Sequence, residues 1–382
     1  MRQDTDVIVV GAGPGGSVTA AAMAKQGLRV LMLDRAEFPR DKVCGDAVAG
    51  KCLDLLTELG VGNFDSPDYY KIDCFTVIGP SGRSLRYDFS KSAEPRTPSA
   101  IVPRLIFDND LFQFAMRNGV NFCKASVNGL IIENGQVVGV KARSGKQEME
   151  FRASLVIGAD GASSVVARDL NARQPREDRW AVALRAYIKT DVPLDRNIDF
   201  AFLDKIQPGY AWFFPISEYE ANIGVGMRSD FYKKQNYSLE DALAYYMTTP
   251  EVKRLIGSHK PENVRSWSLP IYTPDLKRVF NGALLIGDAG AFITPLAGAG
   301  INTAIVTGLC AAQAAQRAFR LGDFSERGLR IYNALWRKEI GANMRRELWL
   351  HNVLSVVPQL IDSFLAASRS VPALVPTVLG KL

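Results

Sequence analysis

The chain has 382 residues, long for one compact core, so two lobes are expected. Hydrophobic residues make up 47% and charged residues 23%, an ordinary globular balance that argues against wholesale disorder. The net charge of +6 is modest and no basic run carries interleaved aromatics, which argues against nucleic-acid binding.

From the N-terminus, the run Val7, Ile8, Val9 and Val10 predicts a buried strand that starts too early to leave room for a signal peptide. A glycine turn follows through Gly11, Gly13 and Gly16, then a small-residue helix to Ala24 and a second buried strand, Arg29 to Asp34. Gly11 permits the tight turn, Gly13 lets backbone approach a pyrophosphate, and Gly16 lets helix and strand pack closely. The helix N-terminus presents free N–H groups to phosphates, and Asp34 closes the second strand where a carboxylate can accept ribose hydroxyls. This Rossmann-like unit leaves NAD and FAD open.

Further along, the stretch Tyr69 to Phe89, through Phe75 to Ile78 and the turn Pro80-Ser81-Gly82, is expected to contribute to the antiparallel sheet of the middle of the chain. Leu155 to Ile157 predicts a buried strand ending at Gly158, Asp160 and Gly161. Residues from about 180 to 230 alternate aromatic, apolar and polar positions, the pattern of antiparallel strands. Period two places Tyr210, Trp212 and Phe214 on one strand face, and Asn222, Gly224 and Gly226 on one face of the returning strand. Aromatics beside paired glycines predict a wall with an open slot, fit for an extended apolar chain or a flavin ring; ordinary sheet core is the plain alternative.

The strand Ala283 to Ile286 leads into Gly287, Asp288 and Gly290, and Pro295 to Ile301 opens a long helix through Gly298 and Gly300. A second turn and helix of this kind favours FAD, which reaches well past the first unit, with Asp288 accepting ribityl hydroxyls. The five cysteines form no CxxC pair, and with two histidines a metal site is not expected. A reduced, cytoplasmic protein is the expectation.

After residue 320 the chain is first basic, then apolar from Leu350 to Leu365 at helical spacing. Pro358 should break that helix and Asp362 argues against a membrane span. The tail covers the core, caps a substrate tunnel, or rests on a membrane surface.

These motifs resemble the flavoprotein superfamily of the aromatic hydroxylases and geranylgeranyl reductases. Gly158 to Gly161 with Ser164 to Arg168 is similar to its internal fingerprint, and Arg104, Phe107, Asp108 and Leu111 to its arginine-bearing helix. Pro39 to Cys44 and Gly45, with Tyr210 to Pro215 and Gly224 to Gly226, resemble the geranylgeranyl reductase branch, although Asp46 departs from the small residue usual after Cys-Gly.

The resemblance implies an α/β fold: a Rossmann-like FAD-binding domain from 1–66, 100–174 and 276–320, an antiparallel-sheet substrate domain from 67–99 and 175–275, and a helical tail over 321–382. It implies cofactor contacts from the opening turn (Gly11, Gly13, Gly15, Gly16), from Asp34, Arg35, Cys44 and Gly45, and from Arg104, Val127 and Asp160, the last mainly tying loops. Asp288, Gly298, Gly300 and Ile301 complete that set. Tyr210, Trp212, Phe214, Gly224 and Gly226 would meet substrate, with Cys44, Tyr210 and Trp212 catalytic. The Cys44 thiol would donate a proton to carbon, relay reducing equivalents, or simply pack.

The implied activity is reduction of carbon–carbon double bonds in an apolar prenyl-type substrate by hydride from flavin N5. NAD(P)H, a ferredoxin or a quinol would be the reductant. A flavin monooxygenase and a membrane-peripheral electron-transfer flavoprotein with a redox partner are the alternatives, since one fold serves many chemistries.

Overall fold

The computed structural model describes residues 5–89, 97–172 and 175–370. The chain forms two compact units, one of 1–40, 107–176 and 270–348, the other of 41–106, 177–269 and 349–382.

The first unit is built on a six-stranded sheet whose centre runs Ala283–Leu285, Leu155–Gly158, Val7–Val10, Val30–Asp34 and Asn121–Lys124, all parallel. The edge strand Val279–Phe280 pairs antiparallel with Ala283–Leu285. Val7, Ile8 and Val9 have no exposed surface, as expected of parallel strands covered on both faces. A three-stranded antiparallel ribbon, Ser126–Glu133, Gln136–Ser144 and Gln147–Arg152, joins the same core through Val127, Val140 and Ala142.

On that sheet lies the helix Pro14–Lys25, and against it packs the helix Ile301–Leu321. They approach through glycine: a Cβ at Gly308 would lie 2.1 Å from Thr19 Oγ1, and one at Gly15 would lie 2.9 Å from the Ala304 carbonyl oxygen. Larger residues at either position would push the helices apart.

The second unit centres on a seven-stranded sheet in the order Glu262–Pro270, Trp180–Lys189, Glu220–Arg228, Gly209–Pro215, Asn197–Ala201, Cys74–Ile78 and Ser84–Asp88. The expected hairpin forms with Tyr210 opposite Gly226, Trp212 opposite Gly224 and Phe214 opposite Asn222. Asn197–Ala201 and Cys74–Ile78 run parallel, an exception to the expected antiparallel pattern. One sheet face buries Ala211, Phe213, Ile223 and Val225 under the helices Leu239–Met247 and Pro250–Ile256. The other carries Trp212 and Phe214 with Ile72 and Ile101.

The unit boundaries differ from those expected from sequence. Residues 41–66 and 100–106 fall in the second unit, because Ala47–Val48 and Tyr70–Ile72 pair on either side of Ser99–Ile101. The tail is no separate unit: 321–348 belongs to the first and 349–382 to the second. One helix ends at Val356 and the next spans Leu360–Ser370, with Pro358 in the break. Ile361 and Leu365 of that last helix are buried against Phe75 and Val77. Among the described residues no single helix is long and apolar enough to cross a membrane.

Candidate active site

In the first unit the glycine turn is held by the chain itself. Gly11 adopts φ +100°, and a Cβ there would lie 2.4 Å from the Ala159 carbonyl oxygen. A Cβ on Gly16 would lie 1.9 Å from the Gly11 oxygen. Gly13 is different: its φ is −69°, and a Cβ there would meet only Arg40 Nη2 at 3.7 Å, an ordinary contact. Folding therefore explains Gly11, Gly15 and Gly16 but leaves room at Gly13. That residue begins the helix Pro14–Lys25 without a side-chain cap, so the first backbone N–H groups keep their capacity for an anion.

The Asp34 carboxylate accepts hydrogen bonds from the Ala12 and Ala36 backbone N–H groups, both at 2.8 Å, bracing the turn from the neighbouring strand. Arg35, next in sequence, is exposed. Arg40 forms an ion pair at 2.6 Å with the fully buried Asp108. Sequence reasoning assigned that pair no role, although both residues stand in the motifs it quoted.

Gly287 adopts φ +53° and would place a Cβ 2.9 Å from the Ala304 Cβ. The opening turn and the Asp288 turn thus meet at one residue, since Gly15 and Gly287 both crowd Ala304. Gly300 opens the helix Ile301–Leu321, again without a side-chain cap, and Gly298 sits at φ +65°. A Cβ on Gly300 would lie 3.3 Å from Asp288 Oδ1, so the acid and the helix start are neighbours.

Behind this loop Arg278, 1% exposed, donates to the carbonyls of Thr273 at 2.7 Å, Leu276 at 3.0 Å, Gly290 at 2.7 Å and Ala291 at 3.3 Å. Its guanidinium lies over the rings of Phe292, Trp336 and Tyr272. Burial brings its pKa down to about 10, so it stays charged. Sequence reading gave no signal for this residue.

Asp160 accepts from the Ser164 hydroxyl at 2.6 Å and the Val165 N–H at 2.7 Å, capping the helix Val165–Asp169. Val127 is buried in the core opposite Ala142.

In the second unit the aromatic face differs from its expected form. A Cβ on Gly224 would lie 2.1 Å from Trp212 Cζ2, so the indole itself fills the slot expected to stand open beside the glycines. Period two predicts that Trp212 and Gly224 face the same way, but not that the ring turns over its neighbour. Trp212 and Phe214 are 6% and 5% exposed, whereas Tyr210 is half-buried.

Cys44, Gly45 and Asp46 join this face. A Cβ on Gly45 would lie 3.1 Å from the Phe214 ring and 3.7 Å from Trp212 Nε1. Asn222, fully buried, accepts from Trp212 Nε1 at 2.8 Å and donates to the Cys44 carbonyl and Asp46 Oδ2, each at 2.8 Å. Asp46 Oδ2 also accepts from the Tyr187 hydroxyl at 2.7 Å. Arg185, fully buried and stacked over the Tyr187 ring, pairs with Asp41 at 2.8 Å.

Burial pushes the Cys44 thiol up, against the pull of Arg104, which also hydrogen-bonds the sulfur, so the group is a protonated thiol at neutral pH. Burial likewise pushes Asp46 up to about 6, although Tyr187 and Asn222 donate to it. Arg104, expected at the cofactor, here stands beside Cys44 and Asp46. The partners Arg185 and Tyr187 lay outside the sequence reading; two polar residues at period two in an apolar strand were their only signal.

Among the described residues no group of three or more His, Cys, Asp or Glu side chains is arranged to hold a metal ion.

The FAD binding domain family matches residues 4–315. The digeranylgeranylglycerophospholipid reductase of Methanocella arvoryzae is 30% identical over 367 residues, covering 94% of this chain and 89% of that protein. The menaquinone reductase of Mycobacterium tuberculosis is 32% identical over 315 residues, covering 81% and 76%. A crystal structure of a geranylgeranyl bacteriochlorophyll reductase-like protein from Thermoplasma acidophilum superposes with a TM-score of 0.83 at 27% identity, covering 92% of this chain and 87% of that one.

Proposed function

This chain belongs to the FAD-binding-domain family and to its geranylgeranyl reductase branch, an FAD-dependent oxidoreductase, and from that premise we propose that it reduces carbon–carbon double bonds in the apolar prenyl chain of a lipid. The residues present fit FAD: Gly13 leaves the space a Cβ would fill, and two uncapped helix starts, at Gly13 and Gly300, sit on either side of the Gly15–Ala304–Gly287 contact. Gly11, Gly13, Gly15 and Gly16 would carry the pyrophosphate, Asp34 and Arg35 the ribose end, and Val127 the adenine. Asp288, Gly298, Gly300 and Ile301 would meet the ribityl chain and ring, with Asp160 bracing the loop behind. FAD held there and reduced by NAD(P)H or by a ferredoxin- or quinol-type donor would supply hydride chemistry toward one alkene carbon.

The observation that carries the reading is Cys44: a half-buried residue whose thiol is protonated at neutral pH and whose backbone carbonyl accepts from Asn222 on the sheet face that bears the aromatic wall. Reduction of an alkene needs a proton at the carbon next to the one that takes hydride. The Cys44 S–H bond breaks as that C–H bond forms, and water then reprotonates the sulfur. Tyr210, Trp212 and Phe214 would hold the chain, excluding water and gaining roughly 25 cal/mol for each Å² of apolar surface covered. Because Trp212 already fills the space at Gly224, Gly224 and Gly226 serve to seat the indole, and the chain meets its outer surface.

Exposed Trp349, Val356, Val357 and Leu360, 63%, 79%, 41% and 42% accessible, give the last helices an apolar surface suited to a bilayer that holds the substrate.

Anaerobic incubation of dithionite-reduced protein with a geranylgeranylated glycerophospholipid, or with a menaquinone, tests the activity. Product heavier by pairs of hydrogens supports it, and which lipid reacts decides the head group. Turnover only in the presence of oxygen refutes it in favour of hydroxylation. Cys44→Ser should lower kcat by about 100-fold if the thiol is the acid.

A further inference from the structure

The segment from Thr294 to Gly300 links the Asp288 turn to the helix Ile301–Leu321. Its sequence, Thr-Pro-Leu-Ala-Gly-Ala-Gly, offers beyond Thr294 no polar side chain with which to fix its own shape. Gly298 sits at φ +65°, and Gly298 and Ala299 are exposed, so the segment is costly to order. Thr294 holds one end of it. Its carbonyl accepts from the Gly298 N–H at 3.1 Å, its hydroxyl from the Ala299 N–H at 2.9 Å, and its own N–H donates to the Ala299 carbonyl at 3.0 Å.

The other hold comes from Glu347, on the helix Ala342–Val356 and 1% exposed. Its Oε2 accepts from the Leu296 N–H at 3.3 Å, and its Oε1 accepts from Asn343 Nδ2 at 2.8 Å. The Ala297 N–H and the Thr294 hydroxyl also donate to this carboxylate. Burial pushes the carboxyl up, against those hydrogen bonds and the nearby charge of Arg346. A buried carboxylate is costly unless donors surround it, and here Leu296, Ala297 and Thr294 all donate from one short loop. The Thr294 hydroxyl joins the two holds, donating to Glu347 while accepting from Ala299. The helix that follows starts without a side-chain cap, so its first N–H groups keep their capacity for a ligand.

We propose that Glu347 is a positioning residue for the cofactor, its carboxylate gripping Leu296, Ala297 and Thr294 so that Gly298, Gly300 and Ile301 stand ready for the ribityl chain and ring. This rests on the reading that places those parts of FAD at the loop. Glu347 acts through the loop: a segment already ordered spares FAD the cost of ordering it on binding.

The test titrates the flavin-free full chain with FAD and with ADP, which carries the adenosine diphosphate end of FAD but neither ribityl chain nor ring. Glu347→Ala should weaken FAD about 10- to 100-fold and leave ADP within about twofold of the parent. Glu347→Gln keeps an acceptor oxygen for the loop and should restore FAD binding to within about threefold. Should the alanine variant fail to fold by circular dichroism, Glu347→Asp, which draws the carboxylate back by one methylene, should show the same selective loss. Hydrogen exchange at the Leu296 and Ala297 amides should quicken in the flavin-free variant that loses affinity. Parent affinity for FAD in a folded alanine or aspartate variant overturns the proposal, as does an equal loss of FAD and ADP. If FAD binds the parent but leaves exchange across 296–303 unchanged, the placement of its ring end at this loop fails instead, so the two failures are distinguishable.

Discussion

The indole of Trp212 lies where a side chain at Gly224 would have to be, with Cζ2 2.1 Å from the ideal Cβ position. The same Cβ would lie 2.4 Å from the Leu184 carbonyl oxygen, so the ring could rotate away and the backbone still would not. Gly224→Ala should therefore lose at least the roughly 1–3 kcal/mol typical of overpacking. A thermal melt should show a midpoint several degrees lower, and Trp212 fluorescence should report a displaced indole.

Gly13 and Gly16 should part company on mutation. Gly13→Ala brings its methyl only into ordinary contact with Arg40 and should fold with an unchanged melting profile, yet bind FAD about 10- to 100-fold more weakly, a loss of roughly 1.4–2.7 kcal/mol. Gly16→Ala drives a methyl into the Gly11 carbonyl and should destabilise the apoprotein itself. Equal flavin titrations for Gly13→Ala and the parent would remove the pyrophosphate from that turn.

Asp46 carries a pH signature. Its carboxyl is raised from 3.8 to about 6, so the folded state holds the proton more tightly than the unfolded chain. The resulting stability is fully present below pH 3.8 and disappears as pH rises through about 6. Asp46→Asn lacks this titration. The stability difference between parent and variant should change by roughly 3 kcal/mol across that window, in the sense that the parent loses ground as pH rises. Urea melts at pH 4, 5, 6 and 7 measure it; a flat difference rules out the shift.

Arg278 should not tolerate lysine. A single ammonium cannot reach the carbonyls of Thr273, Leu276, Gly290 and Ala291 together, and the planar stacking on Phe292 is lost. Arg278→Lys should cost roughly 2–4 kcal/mol by leaving buried acceptors unpaired. Because Gly290 and Ala291 lie two and three residues after Asp288, flavin should also dissociate faster, which absorbance after gel filtration detects.

The last two helices separate two effects, Leu365 lying in the final one and Val356 ending the one before it. Leu365 is 1% exposed against Phe75 and Val77, and Leu365→Ala should cost about 2–4 kcal/mol. Val356 is 79% exposed, and Val356→Asp should leave the melt unchanged while reducing sedimentation with anionic lipid vesicles. Unaltered vesicle binding would take the tail off the membrane.

The candidate site was legible in sequence where backbone dictates chemistry. Gly11 is required by its positive φ and by the Ala159 carbonyl of the neighbouring strand, Gly15 by the paired helix and Gly16 by the Gly11 carbonyl, and such backbone demands leave the same spacing wherever they occur. The Asp288 turn announced itself in the same way. The network at Asp46 left no comparable trace: Tyr187 and Asn222 reach it from strands far along the chain, and no local periodicity encodes a hydrogen bond between distant segments.

Taken by itself, the sequence determined the nucleotide turn, the facing of Tyr210, Trp212 and Phe214 against Asn222, Gly224 and Gly226, and the break at Pro358. Each follows from a fixed backbone geometry: a glycine-only turn, a two-residue strand period, a missing N–H. Tertiary structure alone decided that Trp212 would close the slot at Gly224, that 41–66 would pack with the aromatic sheet, and that Arg278 would be buried among backbone carbonyls. Those outcomes depend on which side chain fills which volume and which distant carbonyl meets which donor, quantities set only when the whole chain is packed.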